Sequence, residues 1–476
     1  MNLDTNHKIP KFDYLILLPI MALAFYIAFI PHLNYPYPVH VDEWVHLARS
    51  KAILAAGSTA FVDPFSGQAT FDLSSNLEAG FHLFWGIFQS ISGIPWLVIF
   101  KYFPSIIFII TVLSVYILSQ KEGFGWEATL FTCLIPTTIG ILGPAFLVPV
   151  ATGLLFIPLS IFLAFNFRTA WSYVVIFVFT CFLLSTHAPS AIGMVIVLVP
   201  YILINLKGKF KHSLGLTLAL AIPFLIPFPW ILDLLLPTAK ALLVPQPLPT
   251  YVIFPKIIPT YGYLPILFCL LGTFILALRG RKKDYSLILG LMTILLMLII
   301  FFTLHYGLHI MYERGLMYML LMASIVAGAG LMWIKKLKPP PLGYTLCLVL
   351  VALTLALCIP ARQSTSYYHM IDNQDYEAFV WIKDNVSEDY KKAILDPWKA
   401  TAFTAISEKN VYTRIHKTTE SSDRQASEFL RQGCKDTSFL RGNRISIVYT
   451  RGVCQNPDLI EVRRDIYLLK EATKGK

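Results

Sequence analysis

Long apolar runs recur along most of this sequence, and they constrain its fold more than any other feature. Runs of roughly 18 or more apolar residues are long enough to cross a hydrocarbon core of about 30 Å as helices. Hydrophobic residues make up 56% of the 476 residues and charged residues only 14%, which is too much apolar surface for a water-soluble fold to bury. The sequence therefore predicts a polytopic α-helical membrane protein.

About eleven transmembrane helices are predicted from these runs. Basic residues cluster in alternate loops, so the positive-inside rule predicts a cytoplasmic N-terminus and an extracytoplasmic C-terminal tail. The formal charge of +11 reflects mainly these inner loops and predicts no nucleic-acid partner. The predicted spans cover residues 14–30, 97–119, 125–142, 144–166, 170–186, 188–205, 213–235, 261–279, 284–304, 312–334 and 342–360.

The two ends of the chain differ in composition. Residues 1–361 hold the apolar runs, whereas residues 362–476 are rich in charged and small polar residues. The tail contains helical patterns ("DYEAFVWIKDNV", "TAFTAISE") and short strand patterns ("KKAILD", "RISIVYT"). We therefore predict a small extracytoplasmic α/β domain in the tail and a first outer loop at residues 31–96.

The stretch "YPYPVHVDEWVHLARS", residues 35–50, follows the first apolar run directly. On a helical wheel Asp42, His46 and Arg49 share one face, and Glu43 flanks it, while Trp44 lies on the apolar face. Such a segment is expected to lie in the membrane interface with its polar face toward a cavity. Asp42 is either a helix N-cap or a group that acts in chemistry, and the two roles are compatible.

An Asp-Glu pair in the first outer loop, followed by an interfacial helix, resembles the GT-C superfamily of integral-membrane glycosyltransferases. This superfamily includes protein O-mannosyltransferases, lipid A aminoarabinose transferases and the catalytic subunit of oligosaccharyltransferase. The many-span core with an outer α/β tail resembles the oligosaccharyltransferase layout. The resemblance implies a membrane-embedded glycosyltransferase that transfers a sugar from a polyprenyl-phosphate donor to an extracytoplasmic acceptor of unknown identity.

The resemblance also implies roles for individual residues. Asp42 matches the catalytic acidic position, with Glu43 supporting it. Arg314 is the candidate for the donor phosphate, since a guanidinium binds phosphate oxygens bidentately; the alternative is an ion pair with Glu313 at a helix end. His187 is either a cavity residue or a hydrogen-bonded turn residue. The substrate-binding candidates are Arg314, His187, His46, Lys256 and Tyr261.

Two motifs of oligosaccharyltransferases are missing from this sequence. The early turn that would carry a second acidic motif has only Gly143-Pro144, and the tail lacks the Trp-Trp-Asp-Tyr-Gly acceptor signature. A divalent metal is therefore possible but not required by the sequence, and recognition of a peptide sequon is not predicted. A polytopic transporter or a non-catalytic membrane scaffold with an outer domain remains the alternative function.

The cysteines predict one disulfide. Five of the seven cysteines fall in apolar spans, and only Cys434 and Cys454 lie in the predicted outer domain. Thiols in an oxidising compartment tend to pair, so a bridge that closes a loop of about 20 residues is predicted. The alternative is two unrelated thiols, too far apart to be joined.

Overall fold

The chain divides into two units, each of which takes residues from separate parts of the sequence. The helical unit comprises Met1–Asn34, Leu77–Phe81 and Val98–Tyr367. The mixed α/β unit comprises Tyr35–Asn76, His82–Leu97 and Tyr368–Lys476. This computed structural model describes residues 11–70, 78–138, 140–227, 237–240, 242–245, 257–307, 309–415 and 420–470.

Nearly all helices of the first unit are built from the apolar runs. A helix satisfies every backbone hydrogen bond within its own segment, which is the requirement for crossing a bilayer. From the N-terminus, the helices are Lys11–Phe29, Trp96–Glu122, Gly125–Cys133, Pro149–Leu154, Phe156–Asn166, Ala170–Asn205, Phe210–Leu225, Ile257–Tyr261, Tyr263–Arg279, Lys282–Leu304, His309–Lys335 and Pro340–Gln363.

Seven segments among the described residues are long and apolar enough to cross a membrane, so the chain is an integral membrane protein. The predicted number of eleven is not confirmed. Helices Phe210–Leu225 and Tyr263–Arg279 are apolar but have only 16 and 17 residues. The seven segments are Leu15–His32, Trp96–Glu122, Pro149–Asn166, Ala170–Asn205, Lys282–Leu304, Met311–Lys335 and Pro340–Gln363.

Three further predicted spans differ for local reasons. Residues 170–186 and 188–205 form one helix of 36 residues, Ala170–Asn205, with non-helical backbone angles at His187. The predicted span 125–142 is helical only over the nine residues Gly125–Cys133. Pro136 follows shortly, and the residue before a proline is disfavoured in the helical conformation.

The central helix, His309–Lys335, packs against the helices Tyr263–Arg279 and Gly125–Cys133. Glycines allow the close approach: a Cβ on Gly328 would lie 2.5 Å from the backbone nitrogen of Ala128. A Cβ on Gly272 would lie 2.0 Å from the carbonyl oxygen of Val326. Small residues at helix contacts are typical of membrane helices, because packing and not apolar burial drives their association.

Several of the basic loop residues also form buried ion pairs. Asp284 is fully buried and accepts hydrogen bonds from Arg279 Nε at 2.9 Å and Arg281 Nε at 2.8 Å. Glu122, also buried, accepts from Arg281 and from Lys283 Nζ at 3.0 Å. The basic cluster at 279–283 thus joins the end of one helix to the start of another.

The mixed unit contains a five-stranded sheet built from the tail. In spatial order its strands are Asn410–Val411, Lys392–Ile394, Ile447–Tyr449, Ile466–Leu469 and Leu459–Arg463. The first three are parallel and the last three antiparallel. Its tail helices are Asn373–Asn385, Ala400–Ser407, Ser421–Arg431 and Thr437–Gly442. The two predicted strands and two predicted helices all fall on observed elements.

The mixed unit also includes part of the first loop, which the predicted boundary at residue 362 did not include. The loop helix, Val41–Ala56, packs against the helix Ala400–Ser407. Tyr35 donates a hydrogen bond to the carbonyl oxygen of Ile371 at 2.9 Å, and Lys51 donates to that of Ala405 at 2.9 Å. The helix that carries Asp42 is therefore supported by residues of the tail.

Cys434 and Cys454 are joined by a disulfide, with their Cα atoms 5.2 Å apart. The bridge lies beside the apolar core of the sheet, in which Phe429, Leu440 and Val448 are buried. It links the segment after the helix Ser421–Arg431 to the loop before the strand Leu459–Arg463. The other five cysteines are free.

Candidate functional site

The start of the loop helix is fixed by a capping box. The ring of His40, the N-cap residue, accepts a hydrogen bond from the backbone nitrogen of Asp42 at 3.2 Å. Glu43 completes the capping box, because its Oε2 accepts hydrogen bonds from the backbone nitrogens of Val39 at 2.8 Å and His40 at 3.0 Å. These bonds satisfy amides that would otherwise be unpaired at the helix start.

The alternative prediction that Asp42 itself is the N-cap is therefore wrong. His40 has extended backbone angles and takes the cap position, which places Asp42 second in the helix. The carboxylate of Asp42 is 41% exposed, whereas Glu43 is completely buried. Asp42 thus has a carboxylate available for a ligand, and Glu43 holds the backbone that presents it.

His46 and Arg49 lie one and two turns after Asp42, on the face that the helical wheel predicted. His46 Nδ1 lies 3.0 Å from His82 Nε2, and both rings are buried. Burial lowers the pKa of His82 to about 3, and the charge of Arg49 adds to the effect. The predicted substrate-binding residue His46 is therefore a buried residue that shares a hydrogen bond with a neutral imidazole.

Arg49 makes a two-point contact with Asp63. Its Nε and a terminal nitrogen lie 3.1 and 3.0 Å from Asp63 Oδ2, while Asp63 Oδ1 accepts from the backbone nitrogens of Phe65 and Ser66. Burial raises the pKa of Asp63, but the charge of Arg49 and the two amides outweigh it and hold that pKa below its usual range. Asp63 is an ionised, buried partner of Arg49 and not a solvated loop acid.

A cavity of about 510 Å³ lies beside this ion pair. We call it the hairpin cavity, because one wall is the short hairpin of Phe61–Val62 and Ala69–Thr70 with its connecting turn. The other wall is the chain from Val411 to Arg414, together with residues at the start of the helix Ser421–Arg431. All of its lining residues belong to the mixed unit.

Arg414 is the most unusual group in the hairpin cavity. Its guanidinium lies 4.7 Å from the centre of the Phe65 ring, and it forms no ion pair among the described residues. Burial lowers its pKa, the charge of Arg49 acts in the same direction, and the carboxylates of Asp63 and Asp42 oppose both. An arginine remains cationic at neutral pH, so Arg414 is a cation without an ion pair among the described residues, in a cavity whose lining has two arginines and two acidic residues.

A second group of predicted residues comes together in the helical unit. His187 Nδ1 lies 2.7 Å from Ser190 Oγ, which lies 3.0 Å from the hydroxyl of Tyr318. Arg314, one turn before Tyr318 on the central helix, is close enough to act electrostatically on both His187 and Tyr318. The structure therefore places Arg314 within electrostatic range of His187, which lies at the kink of Ala170–Asn205.

Arg314 has an unsatisfied donor. Its Nε is buried and has no hydrogen-bond partner among the described residues. The carboxylate of Glu313 lies 4.0 Å from a terminal nitrogen, at the limit for an ion pair. This donor is therefore available to a bound water or to an anionic ligand.

The remaining predicted residues are placed differently. Tyr261 is fully buried and its hydroxyl contacts Ser324 Oγ at 2.7 Å, while the residue also lines a cavity of about 170 Å³. Lys256 lies outside the described residues. Sequence reasoning missed Arg414, because an arginine in a polar tail carries no signal until the fold places it beside Arg49.

Comparisons with known proteins find no matching family model and no curated protein related in sequence. Solved structures do match. The chain is similar to the oligosaccharyltransferase of Archaeoglobus fulgidus in its apo form, with a TM-score of 0.65, 11% identity, and coverage of 93% of this chain and 70% of that chain. The same archaeal enzyme, AglB, in complex with an inhibitory peptide and a dolichol-phosphate matches with a TM-score of 0.65 and 11% identity, covering 92% of this chain and 70% of that chain.

A mycobacterial protein matches as well. The arabinofuranosyltransferase AftD has a TM-score of 0.58 and 14% identity, and the match covers 94% of this chain and 37% of that chain. The predicted resemblance to GT-C membrane glycosyltransferases is therefore confirmed at the level of the fold, which this chain shares with the archaeal oligosaccharyltransferase and with AftD.

Proposed function

We propose that the chain is a membrane glycosyltransferase that moves a sugar from a polyprenyl-phosphate donor to an acceptor on the extracytoplasmic side of the membrane. The observation that carries the proposal is the half-exposed carboxylate of Asp42, held in the first turn of the loop helix by the capping box. A carboxylate fixed in this way is suited to accept a proton from a nucleophile or to orient it. The shared fold with known glycosyltransferases supports the assignment.

In the proposed reaction Asp42 accepts a hydrogen bond from the acceptor nucleophile. The nucleophile forms a bond to the anomeric carbon of the donor sugar, and the bond from that carbon to the phosphate oxygen breaks. The electron pair leaves with the polyprenyl phosphate, and the proton of the nucleophile passes to the Asp42 carboxylate. The developing negative charge on the phosphate requires a cation, and Arg314 is assigned to it because its Nε is buried without a partner.

This assignment predicts a loss of donor binding when Arg314 is replaced by alanine. A charge-assisted pair of this kind is expected to change affinity by about tenfold to a hundredfold. Arg314→Lys keeps the charge but loses the planar fork, so it should fall between Arg314→Ala and the unmodified protein. Mass spectrometry of lipid-linked and surface glycans compares cells with the protein, without it and with each variant.

The expected result is one glycan signal that disappears without the protein and is reduced in Arg314→Ala, while its lipid-linked precursor accumulates. Identical glycans with and without the protein would contradict the proposed function. A normal glycan signal in Arg314→Ala would contradict the phosphate role alone.

The proposed placement of the tail on the extracytoplasmic side predicts a stable disulfide. Disulfides persist in oxidising compartments and are rare in the reducing cytoplasm. We therefore expect Cys434 and Cys454 to resist alkylation in protein purified without reductant, and to react after reduction. Non-reducing peptide mapping makes the measurement, and the free, buried Cys269 and Cys358 in the same sample provide the comparison under denaturing conditions. Full alkylation of Cys434 before reduction would count against the placement.

A further inference from the structure

The hairpin cavity combines features that the proposed reaction does not yet use. The charge of Arg49 is neutralised by Asp63, so Arg49 adds hydrogen-bond donors to the cavity wall but little net charge. Arg414 contributes a second guanidinium, which forms no ion pair among the described residues although carboxylates line the same cavity. A cation removed from water and left unpaired is unfavourable, and an anionic ligand would relieve this.

The polar groups around Arg414 match the hydroxyl groups of a sugar. Ser66, Gln68 and Ser422 line the cavity with hydroxyl and amide groups that both donate and accept hydrogen bonds. Tyr412 adds an aromatic side chain to the same wall. A cavity of about 510 Å³, lined by polar groups together with two arginines and two acidic residues, has a volume within the usual range for a small-molecule site.

The hairpin cavity also lies near the proposed catalytic carboxylate. Asp42 and Arg49 are seven residues apart on one face of the loop helix, which corresponds to about 10 Å along the helix axis. The carboxylate of Asp42 acts electrostatically on Arg414. A ligand anchored at Arg414 could therefore extend along this face and present a hydroxyl group to Asp42.

We propose that the hairpin cavity binds the acceptor, and that this acceptor is a carbohydrate with an anionic group, a phosphate or a carboxylate, that pairs with Arg414. The inference rests on the proposed function, because it names the substrate class of that reaction. The phosphate of the lipid donor is also an anion, so its charge alone would equally suit Arg414. The lining favours the acceptor, since hydroxyl and amide groups do not suit an isoprenoid chain.

Ligand-observed NMR on the full-length protein in detergent tests the proposal. The soluble probes are glucose 6-phosphate, glucuronic acid and neutral glucose, and a short-chain polyprenyl phosphate represents the donor. We expect both anionic sugars to bind at least about tenfold more tightly than glucose, and Arg414→Gln to abolish that preference. The control variant Arg424→Gln removes an exposed arginine from the neighbouring helix and should leave the preference unchanged.

Two results for the variant Arg414→Gln would overturn the proposal. One is an unchanged preference for anionic sugars in Arg414→Gln. The other is a loss in that variant that affects only the polyprenyl phosphate, which would assign the cavity to the donor. Inorganic phosphate should displace both anionic sugars from the unmodified protein, and its failure to do so would also overturn the proposal, whether or not the variant folds.

This binding measurement does not depend on sugar transfer. A protein that binds anionic sugars through Arg414 but changes no glycan would contradict the proposed function, and with it the role of the bound sugar as acceptor, but would leave the anionic-sugar site itself standing. If the protein changes glycans but its Arg414→Gln variant binds both anionic sugars normally, the proposed function is supported and the cavity assignment is contradicted.

Discussion

Asp42→Asn is expected to lower the rate of sugar transfer by about a hundredfold to ten thousandfold, the usual contribution of a positioned acid–base group. Asparagine has the same shape but cannot accept the proton of the nucleophile. The variant should fold normally, because the helix start is capped by His40 and Glu43 and not by Asp42. The initial rate with a lipid-linked donor in isolated membranes, compared at equal protein amount, makes the measurement.

Two further variants make this test specific to the carboxylate. Asp42→Glu keeps the charge but moves it by one methylene, so an intermediate rate is expected. Asp389→Asn removes an exposed carboxylate from the same unit and should leave the rate unchanged. Transfer by Asp42→Asn at the rate of the unmodified protein would remove Asp42 from the mechanism.

Asp375→Asn is expected to destabilise the mixed unit by about 3–5 kcal/mol, the range for breaking a buried ion pair from one side. Asp375 is 1% exposed. Its carboxylate accepts two hydrogen bonds from Lys399 at 2.8 and 2.9 Å and one from the hydroxyl of Tyr449 at 2.6 Å. Arg451 lies 2.8 Å away, so the neutral amide would leave two cations without this shared partner.

Pulse proteolysis of the full-length protein in increasing urea measures this loss, since the mixed unit contains the cleavable tail. Asp384→Asn is the matched control, because it lies on the same helix, Asn373–Asn385, with an exposed side chain. We expect the midpoint of Asp375→Asn to fall well below those of the control and the unmodified protein. Equal midpoints would show that the Asp375 contacts contribute little to stability.

Some of the long helices could be predicted from sequence because apolar runs and helices have the same extent there. Lys282–Leu304 and Pro340–Gln363 lie within a few residues of the predicted spans. The prediction failed where an apolar run is not one helix. Helix Gly125–Cys133 ends inside its apolar run, and Ala170–Asn205 joins two predicted spans through His187. Neither the end nor the kink could be predicted, because neither changes the apolar composition of the sequence.

The position of Asp42 could also be predicted, because it depends on a local pattern and on the preceding apolar run. The capping box was missed, although Glu43 stands three residues after His40, because histidine is not among the usual N-cap residues. The partners of the site could not be predicted at all. Arg49 pairs with Asp63 and lies beside Arg414, and only the tertiary structure joins these parts of the chain.

The contacts between the first loop and the tail determine the order in which this protein can mature. Tyr35 and its hydrogen-bond partner Ile371 are separated by 336 positions in the sequence. The loop helix is therefore synthesised long before the tail residues that it contacts. In particular, the loop helix, which carries the fully buried Trp44, is made before the helix Ala400–Ser407 against which it packs. The nascent protein therefore cannot complete the surroundings of Asp42 until the membrane helices that lie between these two segments in the sequence have been made.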